Sequence, residues 1–381
     1  MTRGELAVDD FSFRGRLGSQ GTTIERAGRN HFRVKLGCAP GHPEWCNLLQ
    51  FEIIRNARHN DLRLDVAFDG DPKFRFNHDA STWSYDGRAW MPIRWKYGNE
   101  PGGEKEDTVL FSEFTADTVY VGAQVPMSYE EVAEFMGHYG RHPHATVHVI
   151  GESLGGRRIY RLEITDLGSR VPPSRRWGFH VNQQHSGEHH GQWRMIGMID
   201  WLLSEAGAAF RKRSVWHFVL EMNPDGPTNG WYRVNSQGVD LNRSYLVTGA
   251  DPARQPHESY VLQKDFEALM ASDSPITACW SMHTFPGDAA PFMNPGPEVG
   301  TRVGPATELV ALLDRLDTRD LIRPMAVNAP GPAATLCWHD GPHVQFGITG
   351  FTCEGSDFWT DKSLSIEVGR VLIQAMAMYY R

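Results

Sequence analysis

Residues 177–203 read WGFHVNQQHSGEHHGQWRMIGMIDWLL, and this stretch decides the fold. Its first part, 177–181, is a short apolar run of the kind that forms a buried strand, while 193–203 repeats apolar residues at helical spacing. Between them lies a loop of polar side chains. Strand, polar loop and amphipathic helix in that order make one unit of an α/β sheet, and in such sheets ligands collect at the strand ends.

Further apolar strand candidates at 146–150, 159–164, 215–220 and 276–282 alternate with amphipathic helix candidates at 260–270, 307–316 and 364–380. The expected fold is therefore α/β, a mixed and mostly parallel sheet flanked by helices. Upstream the texture differs. Short extended segments at 32–35, 48–54, 62–68, 89–95 and 118–123 are separated by turn clusters such as Asp69-Gly70-Asp71-Pro72 and Tyr85-Asp86-Gly87, the pattern of an antiparallel β-sandwich. Ser128 is a suitable N-cap for a helix with Val132, Phe135 and Met136 on one face. The domain boundary is placed just before it, giving an N-terminal β-sandwich over 1–125 and the α/β domain over 126–381.

A chain of 381 residues exceeds what one hydrophobic core usually organises, and 40% hydrophobic, 22% charged and 11% aromatic residues describe a globular protein. A formal net charge of −8 argues against a general nucleic-acid binder. The cysteines Cys38, Cys46, Cys279, Cys337 and Cys353 are odd in number and form no Cys-x-x-Cys pair, so neither a disulfide framework nor a cysteine zinc site is indicated. A reducing cytoplasm fits them. The first ten residues lack a signal-like apolar core and no segment reaches about 18 apolar residues, so neither export nor a membrane span is expected. Self-association into a homo-oligomer is compatible with the sequence.

Four features carry chemistry. His185 and Glu188, three residues apart in the loop of 177–203, can converge on one point, and imidazole nitrogen with carboxylate oxygen makes a good zinc donor set. His189 and His190 read as bystanders, because the glutamate of a His-Glu-x-x-His helix is absent. The second feature is 222–245, MNPDGPTNGWYRVNSQGVDLNRSY, too polar for core, with a strong turn at Asn223-Pro224-Asp225-Gly226 and two arginines, Arg233 and Arg243. Asn242 beside Arg243 offers amide and guanidinium donors suited to a carboxylate. Third, His283 closes the apolar run 276–282 and so stands at a sheet's edge. Fourth, Glu354 is a lone acid in an apolar stretch, where a carboxylate needs a partner or a function, and it is a candidate base.

These features in this order resemble the zinc metallocarboxypeptidases of the carboxypeptidase A type, specifically their cytosolic carboxypeptidase branch in a two-domain form. The resemblance implies one zinc ion held by His185, Glu188 and His283, with Glu354 as general base and proton shuttle. It further implies that Arg233 stabilises the oxyanion, that Asn242 and Arg243 grip the terminal carboxylate of a peptide or protein tail, and that Asp240 orients His185. Two departures stand out. Archetypal members carry a tyrosine ahead of the catalytic glutamate, yet none lies between His283 and Glu354. Members that remove glutamate place an arginine in the specificity pocket, where a gapped match puts Ala334; His339 and Asp340 nearby could instead favour a basic side chain.

Other functions would use the same residues. A zinc amidohydrolase acting on N-acyl amino acids needs the same trio, and a catalytically silent module could bind a peptide around a structural zinc. An α/β protein with coincidental histidines would need no metal.

Overall fold

The computed structural model describes residues 4–68, 80–96, 106–284, 293–295, 304–322, 335–356 and 359–380. Among them, a seven-stranded sheet organises the second part of the chain. Its strands are β1 (Ala145–Glu152), β2 (Arg158–Ile164), β3 (Trp177–Asn182), β4 (Ser214–Val219), β5 (Ala278–Met282), β6 (Met293–Pro295) and β7 (Thr349–Cys353), in the spatial order β1-β2-β4-β3-β5-β7-β6.

The sheet is mixed as expected, but less parallel. Parallel pairing joins β4 to β3, β3 to β5 and β5 to β7, whereas β1–β2, β2–β4 and β6–β7 pair antiparallel. The reason at one edge is the tight turn between β1 and β2, too short for the crossover that parallel neighbours require. From β3 the chain passes to β4 on one side and returns to β5 on the other. The ends of β3 and β5 thus flank the switch in strand order, where α/β sheets bind ligands.

Among the described residues, six helices of seven residues or more accompany the sheet: α1 (Tyr129–Tyr139), α2 (His189–Leu203), α3 (His257–Met270), α4 (Gly304–Leu316), α5 (Asp340–Phe346) and α6 (Lys362–Tyr379). Because side chains alternate across a strand, Phe179, Val181, Trp280 and Phe351 enter one core with α2, α4 and α6. On the other face Val219 and Cys279 join Leu262 and Phe266 of α3 and Trp338. At α1 the Ser128 side chain accepts from Glu131 N while Glu131 Oε2 accepts from Ser128 N at 2.9 Å, so the expected cap is a full capping box. Helices α2 and α6 lie backbone to backbone: a Cβ at Gly197 would strike the Ile366 carbonyl, and one at Gly369 the Arg194 carbonyl.

Upstream, two five-stranded sheets share one core of Phe32, Val34, Leu64, Val66, Phe51, Ile53 and Val121. All their pairings are antiparallel except His31–Leu36 with Leu62–Phe68, which run parallel, so the sandwich is not purely antiparallel. The segment 48–54 pairs only over Phe51–Ile53, because the Leu48 N–H is drawn away to the Gly230 carbonyl at 2.8 Å. The segment 89–95 divides into Met91–Pro92 and Arg94–Lys96, which belong to different sheets. The turn at 69–72 and Ala334 fall outside the described residues.

Candidate metal centre and its flanking loop

His185 lies three residues beyond β3 and His283 one residue beyond β5, both at carboxyl ends of parallel strands. The loop after β3 is shaped by Gln183, whose Nε2 donates to the carbonyls of His185 (2.9 Å) and Glu188 (2.7 Å). Glu188 thereby arrives at the N-cap of α2 with its carboxylate turned towards both histidines. His185 Nδ1 is 2.8 Å from Glu188 Oε1, and His283 Nδ1 is 2.7 Å from Glu188 Oε2. All three are buried, and one donor atom from each lies within 4.8 Å of the others.

Two imidazoles and a carboxylate converging from three directions are a donor set that fits zinc and leaves a fourth position open. The outward nitrogens are also fixed. His185 Nε2 lies 2.9 Å from Asp240 Oδ1; His283 Nε2 lies 2.8 Å from Ser281 Oγ and 3.0 Å from Asn242 Nδ2. Such outward contacts set the tautomer and ring orientation of metal-binding histidines. Burial works against the charge of Glu188, yet His185 and His283 hold its carboxyl well below the usual range. Burial likewise opposes ionised Asp240, but His185 and Arg233 keep it ionised.

The loop between β4 and α3 forms the wall. Asp225 of the Asn-Pro-Asp-Gly turn accepts from Ser153 Oγ (2.9 Å), Gly155 N (2.9 Å) and Arg157 Nη1 (2.7 Å), and Asn223 Nδ2 donates to Val234 O at 3.0 Å. This turn is scaffolding. It launches a segment in which Arg233 Nε donates to Asp240 Oδ2 at 2.7 Å. Burial disfavours the guanidinium charge, but Asp240 and Glu188 raise the Arg233 pKa above its ordinary value.

Asn242 is more committed than its sequence suggested. Its Oδ1 accepts from Trp338 N at 2.9 Å while its Nδ2 faces His283. Arg243 is exposed, its Nη1 donating to Asn242 O at 2.7 Å and to Cys337 Sγ at 3.3 Å. Glu354 is half-buried one residue past β7; since Met282 pairs with Cys353 and His283 N donates to Cys353 O at 2.8 Å, Glu354 stands level with His283. His189 and His190 stay outside the trio: His190 is tied to Ser365 Oγ (2.8 Å) and Trp359 O (2.6 Å).

Sequence reasoning missed two residues. Ser281 donates to Gln184 Oε1 at 2.7 Å and so presents its oxygen to His283. The signal was a serine two residues before the strand-end histidine. Arg194 reads as an ordinary helix arginine but is buried against the same strand ends.

A mixed sheet with a buried His/Glu/His trio at its switch point is an arrangement that could hold a metal ion. Over residues 132–280 the chain matches the family model described as "Zinc carboxypeptidase". It is 29% identical over 168 residues to "Cytosolic carboxypeptidase 2" of Danio rerio and 28% identical over 166 residues to "Cytosolic carboxypeptidase 3" of Mus musculus. Each match covers 42% of this chain but only 22% and 15% of those relatives' lengths. Among solved structures, a metallo-carboxypeptidase from Burkholderia cenocepacia superimposes with a TM-score of 0.79 at 18% identity, covering 97% of this chain and 99% of that one. A metallo-carboxypeptidase from Pseudomonas aeruginosa, in complex with (2-guanidinoethylmercapto)succinic acid, gives 0.73 at 18% identity, covering 94% and 96%. These likenesses establish the fold over nearly the whole chain.

Proposed function

We propose that this protein is a zinc-dependent carboxypeptidase that hydrolyses the last peptide bond of peptides or protein tails. The observation that carries this is the convergence of His185, Glu188 and His283 beside an arginine and asparagine wall, with Glu354 level with His283. One zinc ion per chain would be held by the trio, where it acts as a Lewis acid and lowers the pKa of a water. Glu354 takes a proton from the attacking water on its carboxylate and returns it to the departing amine nitrogen. Arg233, held by Asp240, donates to the oxygen on which negative charge develops. Asn242 retains one amide N–H, and Arg243 is exposed; together they would receive the free carboxylate of the terminal residue. Asp240 keeps the His185 ring in register.

The same reading treats 1–125 and 126–381 as two domains and the protein as cytoplasmic. Among the described residues no helix is long and apolar enough to cross a membrane. The test is a set of peptides differing only in the last residue (Glu, Asp, Lys, Arg, Leu, Phe), each with a free or amidated C-terminus. Release from free-carboxylate peptides alone, abolished by chelation and restored by zinc, is expected. Equal cleavage of amidated peptides, or full activity after chelation, overturns the proposal.

A further inference from the structure

The least conspicuous charge near the centre is Arg194, in the second turn of α2 and 1% exposed. Its guanidinium spans two strands. Nη1 donates to Cys353 O at 3.1 Å and to Glu354 O at 2.9 Å, Nη2 donates to His283 O, and Nε donates to His190 O at 3.3 Å. Two of the four carbonyls it collects belong to His283 and Glu354, the residues that carry the proposed third metal donor and the base, and a third belongs to Cys353 next to Glu354. Glu188, which carries another proposed donor, is the N-cap of the same helix.

We propose that Arg194 is the positioning residue that locks the two halves of the site together, fixing His283 and Glu354 relative to His185 and Glu188. The inference rests on the proposed carboxypeptidase chemistry. At the end of a parallel sheet the last carbonyls lose their strand partners, and chain leaving β5 and β7 is free to diverge. A planar guanidinium presents five donors in fixed directions and can hold several separated carbonyls in one geometry, whereas a lysine ammonium is a compact point charge with three rotatable donors and an apolar side chain has none.

The surroundings are shaped to admit this group. A Cβ at Gly355 would come within 2.9 Å of Arg194 Cζ, so glycine directly after Glu354 is what lets the guanidinium lie against the strand end. Gly369 of α6 likewise clears the Arg194 backbone. Burying a cation is costly, and a well-packed apolar residue of similar volume usually stabilises a core as well or better. An arginine at this position therefore points to geometry rather than stability.

The test compares the zinc-loaded parent with Arg194→Lys, Arg194→Met and Gly355→Ala. Two readouts are taken per folded molecule: hydrolysis of the best peptide from the panel, and release of zinc to a chromophoric chelator. Arg194→Lys is expected to lower kcat roughly 10- to 100-fold with KM within about twofold, and to speed zinc release at least about tenfold. Gly355→Ala, which keeps the charge but displaces the guanidinium, shifts both readouts in the same direction. Should Arg194→Met fail to fold, these two variants carry the test. Changes in melting temperature alone, with kcat and zinc release within about twofold of the parent, overturn the proposal. A parent that cleaves no peptide refutes the carboxypeptidase reading, and the zinc-release comparison then still decides the role of Arg194.

Discussion

His185 and Asp240 meet Nε2 to Oδ1 at 2.9 Å, and Asp240 spends its other oxygen on Arg233 Nε at 2.7 Å. One carboxylate therefore orients both a proposed metal donor and the proposed oxyanion donor. Asp240→Asn keeps the shape but removes the charge that steadies both partners. Zinc affinity is expected to fall about 10- to 100-fold, measured by chelator competition, with kcat falling alongside.

Glu354 acts in the proposed reaction only as a proton carrier. Glu354→Gln is expected to lower kcat by about 10²- to 10⁴-fold while zinc binding, read by metal analysis after dialysis, stays at the parent's level. A variant retaining more than a tenth of the parent's kcat would remove Glu354 from the mechanism.

Gly187 sits between His185 and Glu188 with no room for a side chain: a Cβ there would lie 2.5 Å from Tyr232 Cδ2 and 2.7 Å from Tyr232 Cα. Gly187→Ala must push the loop that carries His185 and Glu188 away from the wall that carries Arg233. A loss of about 1–3 kcal/mol in urea unfolding is expected, with weaker zinc retention. Unchanged stability and zinc release would count against this packing.

His180 and His217 lie side by side on β3 and β4, buried with their charged forms disfavoured. Burial first, and Arg161 second, push His180 down to about 3 and His217 well below its ordinary value. In the unfolded chain both protonate near pH 6.5, so between about 6.5 and 3 the unfolded state binds more protons and stability falls as pH falls. Each group contributes at most about 1.4 kcal/mol per pH unit across that window. Urea midpoints measured from pH 7.5 to pH 5 should decline below 6.5, and His180→Gln should flatten the slope; an unchanged slope would contradict the assignment.

Much of the fold was legible because local rules agree with it. The alternation of short apolar runs with amphipathic helices, and Ser128 as an N-cap, needed no tertiary knowledge. Strand direction did need it: β2 pairs antiparallel with β4, and no residue in either strand records that choice. The strand Thr349–Cys353 escaped notice because threonine and glycine give a weak apolar signal, although Glu354 at its end stood out. The trio was readable since its residue types are rare together, and the structure brings them within contact of one another. Arg194 was not, because three of its four carbonyl partners lie 89 or more residues away, at the ends of two strands. Asn242 was read for its chemistry, while its contact with His283 depends on how the loop closes.

The hydrogen bonds that cross from the first part of the chain to the loop before Arg233 have a wider consequence. Gly18 N donates to Pro227 O at 3.1 Å, Gln20 N to Asn229 O at 2.9 Å and Leu48 N to Gly230 O at 2.8 Å. They brace the wall of the site from behind, through main-chain groups whose side chains are irrelevant to the reaction. In the proposed reaction, turnover thus becomes an indirect gauge of the integrity of the β-rich region, and substitutions there are expected to register in an enzyme assay while every residue proposed to touch substrate remains intact.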